Sequence, residues 1–300
     1  MILLYILLFF IVITFLLVHF VSPQIIIRTK GGISKFTRNN NFELLHPDDL
    51  FLENEKLNVF TQDSLNLSAY LIKTTSEIQK GTIILLHGIR SRKENNLWLS
   101  KKLSDEGYNS VVIDSRAHGF SQGKYCTFGY HEKYDIKTLI DILYSYEDLN
   151  LNLGIWGQSL GGAVSLQTLE IDKRIKFGIV ESTFINFRTI VHDYFKRYIG
   201  IDISFLTNYA LKRAEKLANF KIDEVSPINS TKKITQPMLI VHGKDDEKIK
   251  FEYGKILFEN LASKDKDFIN IPNSSHSNLR EIGGDDYLKK VIIFINKNSK

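Results

Sequence analysis

Ser159 stands between Gly157 and Gly161 in "LGIWGQSLGGA" (153 to 163), where a short apolar run gives way to a helical pattern. A serine hydroxyl is a poor nucleophile unless a base takes its proton and donors stabilise the oxyanion it creates. Two small residues flanking the serine allow a sharp strand-to-helix turn that lifts its Oγ out of a sheet edge. The helix that follows begins with unpaired N–H groups, including that of Leu160. Further along, "VHGKDDEKI" (241 to 249) supplies Asp245 and Asp246 just past an apolar run, and "PNSSHSN" (272 to 278) supplies His276 just past another. In the order Ser, Asp, His these residues can form a catalytic triad. His276 is the base, and Asp246 holds its tautomer and stabilises its charged form. Asp245 is the alternative acid, better suited to a turn. A second oxyanion donor is expected from "HGIRSR" (87 to 92), at the N–H of Ile89, with His87 orienting that loop.

These residues need a scaffold that brings distant segments to one edge. Eight short apolar runs supply it: 57 to 60, 67 to 72, 82 to 88, 110 to 116, 153 to 159, 177 to 182, 238 to 243 and 267 to 272. The first two flank a polar turn and read as an antiparallel pair. The rest are rich in β-branched residues and nearly continuous, as in strands buried on both faces of a parallel sheet. Helical spacing separates them, as at Ile136, Leu139, Ile140 and Leu143, and again at Leu288, Val291, Ile292 and Ile295. Strands alternating with helices predict a doubly wound α/β sheet, with ligands beyond the carboxyl ends of its strands. His87, Asp114, Ser159, Glu181 and His242 all fall at or just past such ends. Asp114, Arg116 and His118 are expected to brace a loop beside the pocket, whereas His46, His131, His192 and His242 have no acidic or nucleophilic partner by position. Residues 183 to 237 interrupt the rhythm with helical patterns and many aromatics, and predict a cap over the ligand edge.

Of the 300 residues, 43% are hydrophobic and 24% charged, which fits a folded globular chain. The net charge of +5 is spread rather than clustered, so it describes a lysine-rich surface and not a nucleic-acid footprint. One cysteine, Cys126, excludes an intramolecular disulfide. No cofactor or metal is implied, since the chain offers neither H-x-x-x-H spacing nor cysteine pairs. Residues 1 to 22 stand apart. From Ile2 to Val21 only Thr14 and His19 interrupt an apolar run of transmembrane length, with no preceding basic residue and no small-x-small cleavage site. An uncleaved anchor is expected, followed by a connector over 23 to 54 and a catalytic domain over 55 to 300. Arg28, Lys30, Lys35 and Arg38 precede the first acidic residue, Glu43, and point to a cytoplasmic catalytic side.

With "LLHGI" (85 to 89), "DSRAHGFS" (114 to 121), "GQSLGG" (157 to 162), "SPI" (226 to 228), "VHGKDD" (241 to 246) and "SSHS" (274 to 277), the chain resembles the α/β-hydrolase superfamily. It is most similar to small-capped, membrane-anchored serine hydrolases related to prolyl-oligopeptidase-like and dienelactone-hydrolase-like enzymes. The resemblance implies an α/β-hydrolase fold with Ser159 as nucleophile, Asp246 as acid and His276 as base. It also implies the N–H groups of Ile89 and Leu160 as the oxyanion hole. The expected activity is cleavage of an acyl ester or thioester through an acyl-enzyme, on a small-molecule or lipid-like substrate. A serine peptidase or amidase is the alternative within the same chemistry, and a catalytically silent, membrane-tethered binding protein the alternative outside it. Serine at the elbow argues against dehalogenase and dienelactone chemistry.

Overall fold

The structure, a computed structural model, describes residues 1 to 29 and 45 to 299. Lys30, Lys35, Arg38 and Glu43, used above to orient the anchor, lie outside the described residues. The chain begins with α1 (Ile2–Leu16), passes through a π-helical turn (Leu17–Val21) and continues into α2 (Ser22–Ile27). Together these make an apolar helix of 26 residues, with a mean hydropathy of 2.9 over an 18-residue stretch of it. At 1.5 Å per residue it reaches about 39 Å, long enough to cross a hydrocarbon layer of roughly 30 Å. No side chain of α1 is buried. In α2, by contrast, Ile26 and Ile27 enter the hydrophobic core. Behind it, the Cys126 N–H donates to the Ile27 carbonyl at 2.9 Å, and the Thr29 hydroxyl donates to the Ala117 carbonyl.

An eight-stranded sheet follows: β1 (Glu53–Phe60), β2 (Asn66–Lys73), β3 (Gly81–Leu86), β4 (Tyr108–Ile113), β5 (Leu153–Gln158), β6 (Ile175–Glu181), β7 (Met238–Gly243) and β8 (Lys266–Ile271). Their spatial order is β1-β2-β4-β3-β5-β6-β7-β8. Only β2 runs against its neighbours, β1 and β4; β3 to β8 pair with one another in parallel. The apolar runs sit where this topology needs them. β3, β4 and β7 are buried at every position, while the edge strands β1 and β8 expose part of theirs. One face of the sheet carries α3 (Leu97–Asp105) and α10 (Leu279–Asn298), packed over Leu85, Trp156, Phe177 and Val241. The other carries α4 (Glu132–Leu143), α5 (Leu160–Ile171) and α9 (Phe251–Asn260), where Ile136, Leu139, Ile140 and Leu143 are all buried as their spacing predicts.

Between β6 and β7 lie α6 (Phe187–Ile199), α7 (Ser204–Ala218), a 3₁₀ turn (Ile222–Glu224) and the short α8 (Pro227–Thr231). Asn186 caps α6 by accepting from the Thr189 N–H at 2.8 Å. The aromatics of this segment divide by position. Phe184 and Phe187 belong to the core, Phe187 with its ring 4.1 Å from that of Phe128, whereas Tyr198 and Phe205 project into solvent. Tyr209 faces the N-terminal helix: its hydroxyl and His19 Nδ1 share a 2.7 Å hydrogen bond.

Candidate active site

Ser159 sits between β5 and α5 with φ 54° and ψ −115°, a backbone geometry that costs an L-residue roughly 1–3 kcal/mol. Neighbouring bonds hold it there. Its N–H donates to the Glu181 carbonyl at 2.8 Å, and its carbonyl accepts from the Ala163 N–H at 3.1 Å and the Thr183 hydroxyl at 2.7 Å. The flanking glycines are sterically required. A Cβ on Gly157 would overlap the Gly161 carbonyl, and one on Gly161 would overlap the Leu86 carbonyl.

The three side chains singled out in the sequence meet here. Ser159 Oγ lies 3.1 Å from His276 Nε2, and His276 Nδ1 lies 2.8 Å from Asp246 Oδ2. The other carboxylate oxygen of Asp246 accepts from the N–H groups of Lys248 at 2.9 Å and Ile249 at 2.8 Å. Asp245 is exposed and serves the turn, its N–H donating to the Ser274 carbonyl at 3.0 Å. The loop carrying His276 is held by Asn278, whose Oδ1 accepts from the Ser275 N–H at 2.8 Å and the Ser275 hydroxyl at 2.9 Å. Leu160 opens α5, so its N–H has no intrahelical partner. Gly88, the residue before Ile89, runs alongside Ser159: a Cβ placed on it would sit 3.6 Å from Ser159 Cβ.

Burial pushes the Asp246 carboxyl up, but hydrogen bonds from His242 and His276, the charge of His276 and the Ile249 N–H together hold it well below the usual carboxylate range. Its folded value is therefore lower than its unfolded value of about 3.9. It contributes stability at every pH above about 4, and that contribution is lost as the pH falls through the folded value. In urea titrations the stability difference between the natural chain and Asp246→Asn is expected to shrink as the pH is lowered below about 4.

Two histidines depart from the expectation drawn from position. His46 Nδ1 lies 3.1 Å from Asp48 Oδ2 in an exposed turn, away from the site. His242 is fully buried at the end of β7, with Nε2 2.9 Å from the Ile249 carbonyl and 3.5 Å from Asp246 Oδ2. Oδ2 of Asp246 thus has two imidazoles near it. The signal was available: His242 precedes Asp246 by four residues, and the turn between folds the chain back on itself. His131 and His192 stay outside the site, bonded to the Asn219 carbonyl at 2.9 Å and Asn208 Oδ1 at 3.1 Å.

The loops beside the site are tied by buried polar groups. His87 Nε2 accepts from the Ser115 N–H at 3.1 Å and its Nδ1 bonds the Gly88 carbonyl at 2.7 Å, a pattern that requires the neutral ring. Burial favours that form by pushing its pKa down. Asp114 holds the buried Lys93 through both its N–H (2.8 Å) and its Nζ (2.9 Å). Burial alone would lower the Lys93 pKa, but Asp114 and Glu94 outweigh it and raise it. Arg116 forks onto Asp135 at 2.7 and 2.6 Å. Replacing Lys93 by methionine leaves Asp114 as a buried charge without its cation, and is expected to cost about 3–5 kcal/mol of unfolding free energy in a urea titration.

Glu181, at the end of β6, is fully buried and accepts from Trp156 Nε1 at 2.9 Å, Arg280 Nε at 3.0 Å and the Tyr287 hydroxyl. Arg280 in turn donates to Asn96 at 3.1 Å. Arg280 and Asn96 line a cavity of about 410 Å³ with His87, Gly88, Ser91, Asn95, Trp98, Gln158, Ser277 and Glu281. Gln158 and Ser277 adjoin Ser159 and His276 in the chain, but Ser159 and His276 are not among the residues that line this cavity.

The chain and its fold have counterparts among known proteins. The structure of the Pyrococcus furiosus esterase Pf2001 superposes with a TM-score of 0.70 at 24% identity, covering 85% of this chain and 97% of that one. YqkD of Bacillus subtilis is 27% identical over 180 residues, 59% of each chain. The lysophosphatidylserine lipase ABHD12 of Rattus norvegicus is 28% identical over 200 residues, 62% of this chain and 46% of the lipase. The chain thus spans about half to three-fifths of the length of these two relatives. The model of the prolyl oligopeptidase family matches residues 96–300, more than half of the chain. With its mostly parallel eight-stranded sheet and its serine elbow, this chain has the α/β-hydrolase fold and belongs to the prolyl oligopeptidase family.

Proposed function

We propose that the protein is a membrane-anchored serine hydrolase that cleaves acyl esters or thioesters of lipid-like substrates. The observation that carries this reading is the continuous relay from Ser159 Oγ through His276 to Asp246, at 3.1 and 2.8 Å. Ser159 Oγ attacks the acyl carbonyl while its proton passes to His276 Nε2. The N–H groups of Ile89 and Leu160 receive the oxyanion. Collapse of the tetrahedral intermediate breaks the bond to the leaving oxygen or sulfur, which takes the proton from His276 Nε2 and departs. A water, deprotonated by the same nitrogen, then attacks the acyl-enzyme, releases the carboxylic acid and restores Ser159. Asp246 keeps Nδ1 protonated throughout, so that Nε2 is free to accept.

Two features favour a lipid-like substrate: the long apolar helix at the N-terminus and similarity to a lysophosphatidylserine lipase over 62% of the chain. Arg28 and the basic residues after it favour a cytoplasmic catalytic side. The family match favours one other reading, a peptidase, in which His276 protonates a leaving nitrogen. Turnover by the full-length protein in lipid vesicles, measured on matched oxoester, thioester and anilide substrates of increasing acyl length, separates the two. The proposal expects long-chain oxoesters or thioesters to have the highest kcat/KM. Preference for peptide anilides would replace it with the peptidase reading.

A further inference from the structure

Tyr198, Ile199, Ile201 and Phe205 cluster where α6 turns into α7, and the hydrophobic core leaves them out. Tyr198 is 78%, Ile201 62% and Phe205 81% exposed. Four apolar side chains at one corner of a cap are an unusual surface to leave in water. Their neighbourhood indicates what covers them. One helical turn after Phe205, on the same face of α7, Tyr209 bonds His19 and brings its ring within 6.4 Å of that of Phe15. Phe15 lies about 20 Å along the N-terminal helix from Ile2. If the hydrocarbon layer of roughly 30 Å begins near Ile2, that position falls inside it. A cap residue touching Phe15 cannot then stand clear of the bilayer. Lys196 and Arg197, both exposed, flank the cluster and can reach phosphate groups while their stems follow the apolar surface.

We infer that this corner of the cap, formed by Tyr198, Ile199, Ile201 and Phe205, is a membrane-seating surface that enters the lipid headgroup and acyl boundary beside the N-terminal helix. The inference rests on the reading of that helix as a membrane span and extends it. The protein is held at two places, by a span and by the cap, so the catalytic domain has a fixed attitude to the bilayer instead of swinging on a tether. A peripheral apolar surface with adjacent cations binds such an interface by the buried area plus attraction to anionic lipid.

Depth measurements on the full-length protein in vesicles of phosphatidylcholine and phosphatidylglycerol test this. Nitroxide labels are attached through Ile201→Cys, Phe205→Cys, Phe9→Cys in α1, and Lys102→Cys on the far face of the sheet. The buried Cys126 serves as the background control in the unmutated chain. Labels at 201 and 205 are expected to be quenched by oxygen more than by a water-soluble nickel chelate, as at position 9, and position 102 to show the reverse. Labels at 201 and 205 that match position 102, while position 9 lies in lipid, would overturn the inference and leave the span standing. Strong dipolar broadening between labels at 205 would also overturn it, by assigning the surface to a second copy of the chain. Exposure of position 9 to the chelate would remove the span and the inference together. Turnover of a soluble short-chain ester by each labelled variant reports the catalytic reading separately.

Discussion

Replacing Ser159 with alanine is expected to lower kcat for ester hydrolysis on the order of 10⁵- to 10⁶-fold. The reason is specific to this position. The Oγ has His276 Nε2 within hydrogen-bonding reach, and the Ser159 main chain carries the bonds to Glu181, Ala163 and Thr183 that hold the elbow. Alanine removes the nucleophile and keeps every bond of the turn. Unfolding free energy should therefore change by less than about 1 kcal/mol, in the range of substitutions that neither open a cavity nor strand a buried polar group. Adding His276→Ala to the same chain should cost little more, because residues that act as one unit lose their effect together. Steady-state kinetics on a p-nitrophenyl ester and urea titration of the same preparation check both halves.

Asp246→Asn is expected to reduce kcat about 10⁴-fold through a proton in the wrong place. One carboxylate oxygen of Asp246 accepts from two backbone N–H groups, of Lys248 and Ile249, so the carbonyl of the introduced amide is obliged to take that side. Its NH₂ then faces His276 Nδ1, which must accept. The ring's remaining proton moves to Nε2, where it points at Ser159 and cannot receive another. His242 does not rescue the tautomer, because its Nε2 already donates to the Ile249 carbonyl. The signature is a loss of kcat with little change in the affinity for a non-reactive substrate analogue. Loss of binding in step with kcat would mean that the turn itself had collapsed.

Much of this site can be read from the chain because the chemistry and the scaffold impose local patterns. Parallel strands buried on both faces appear as continuous apolar runs, and their carboxyl ends are where Ser159, Asp246 and His276 lie. Gly157 and Gly161 announce the elbow because no larger residue fits against the carbonyls of Gly161 and Leu86. What escaped sequence reading depends on long-range packing of buried charge. Nothing near Lys93 in the chain predicts that it will be sealed against Asp114, and nothing near Arg280 or Tyr287 predicts that both will close on Glu181. Such partners are chosen by the fold after the strands are in place. The N-terminal helix is the other case. Its length and hydropathy are enough to cross a membrane, but the same features give no hint that Ile26 and Ile27 enter the core or that His19 meets Tyr209 on α7.

The central claim, that His276 makes the Ser159 hydroxyl reactive, is tested most directly by a fluorophosphonate that modifies only an activated serine. Intact-protein mass and peptide mapping should show one adduct per chain, on Ser159, with labelling lost in His276→Ala although Ser159 is still present. Equal labelling of the two proteins, or an adduct on any other residue, would contradict the account.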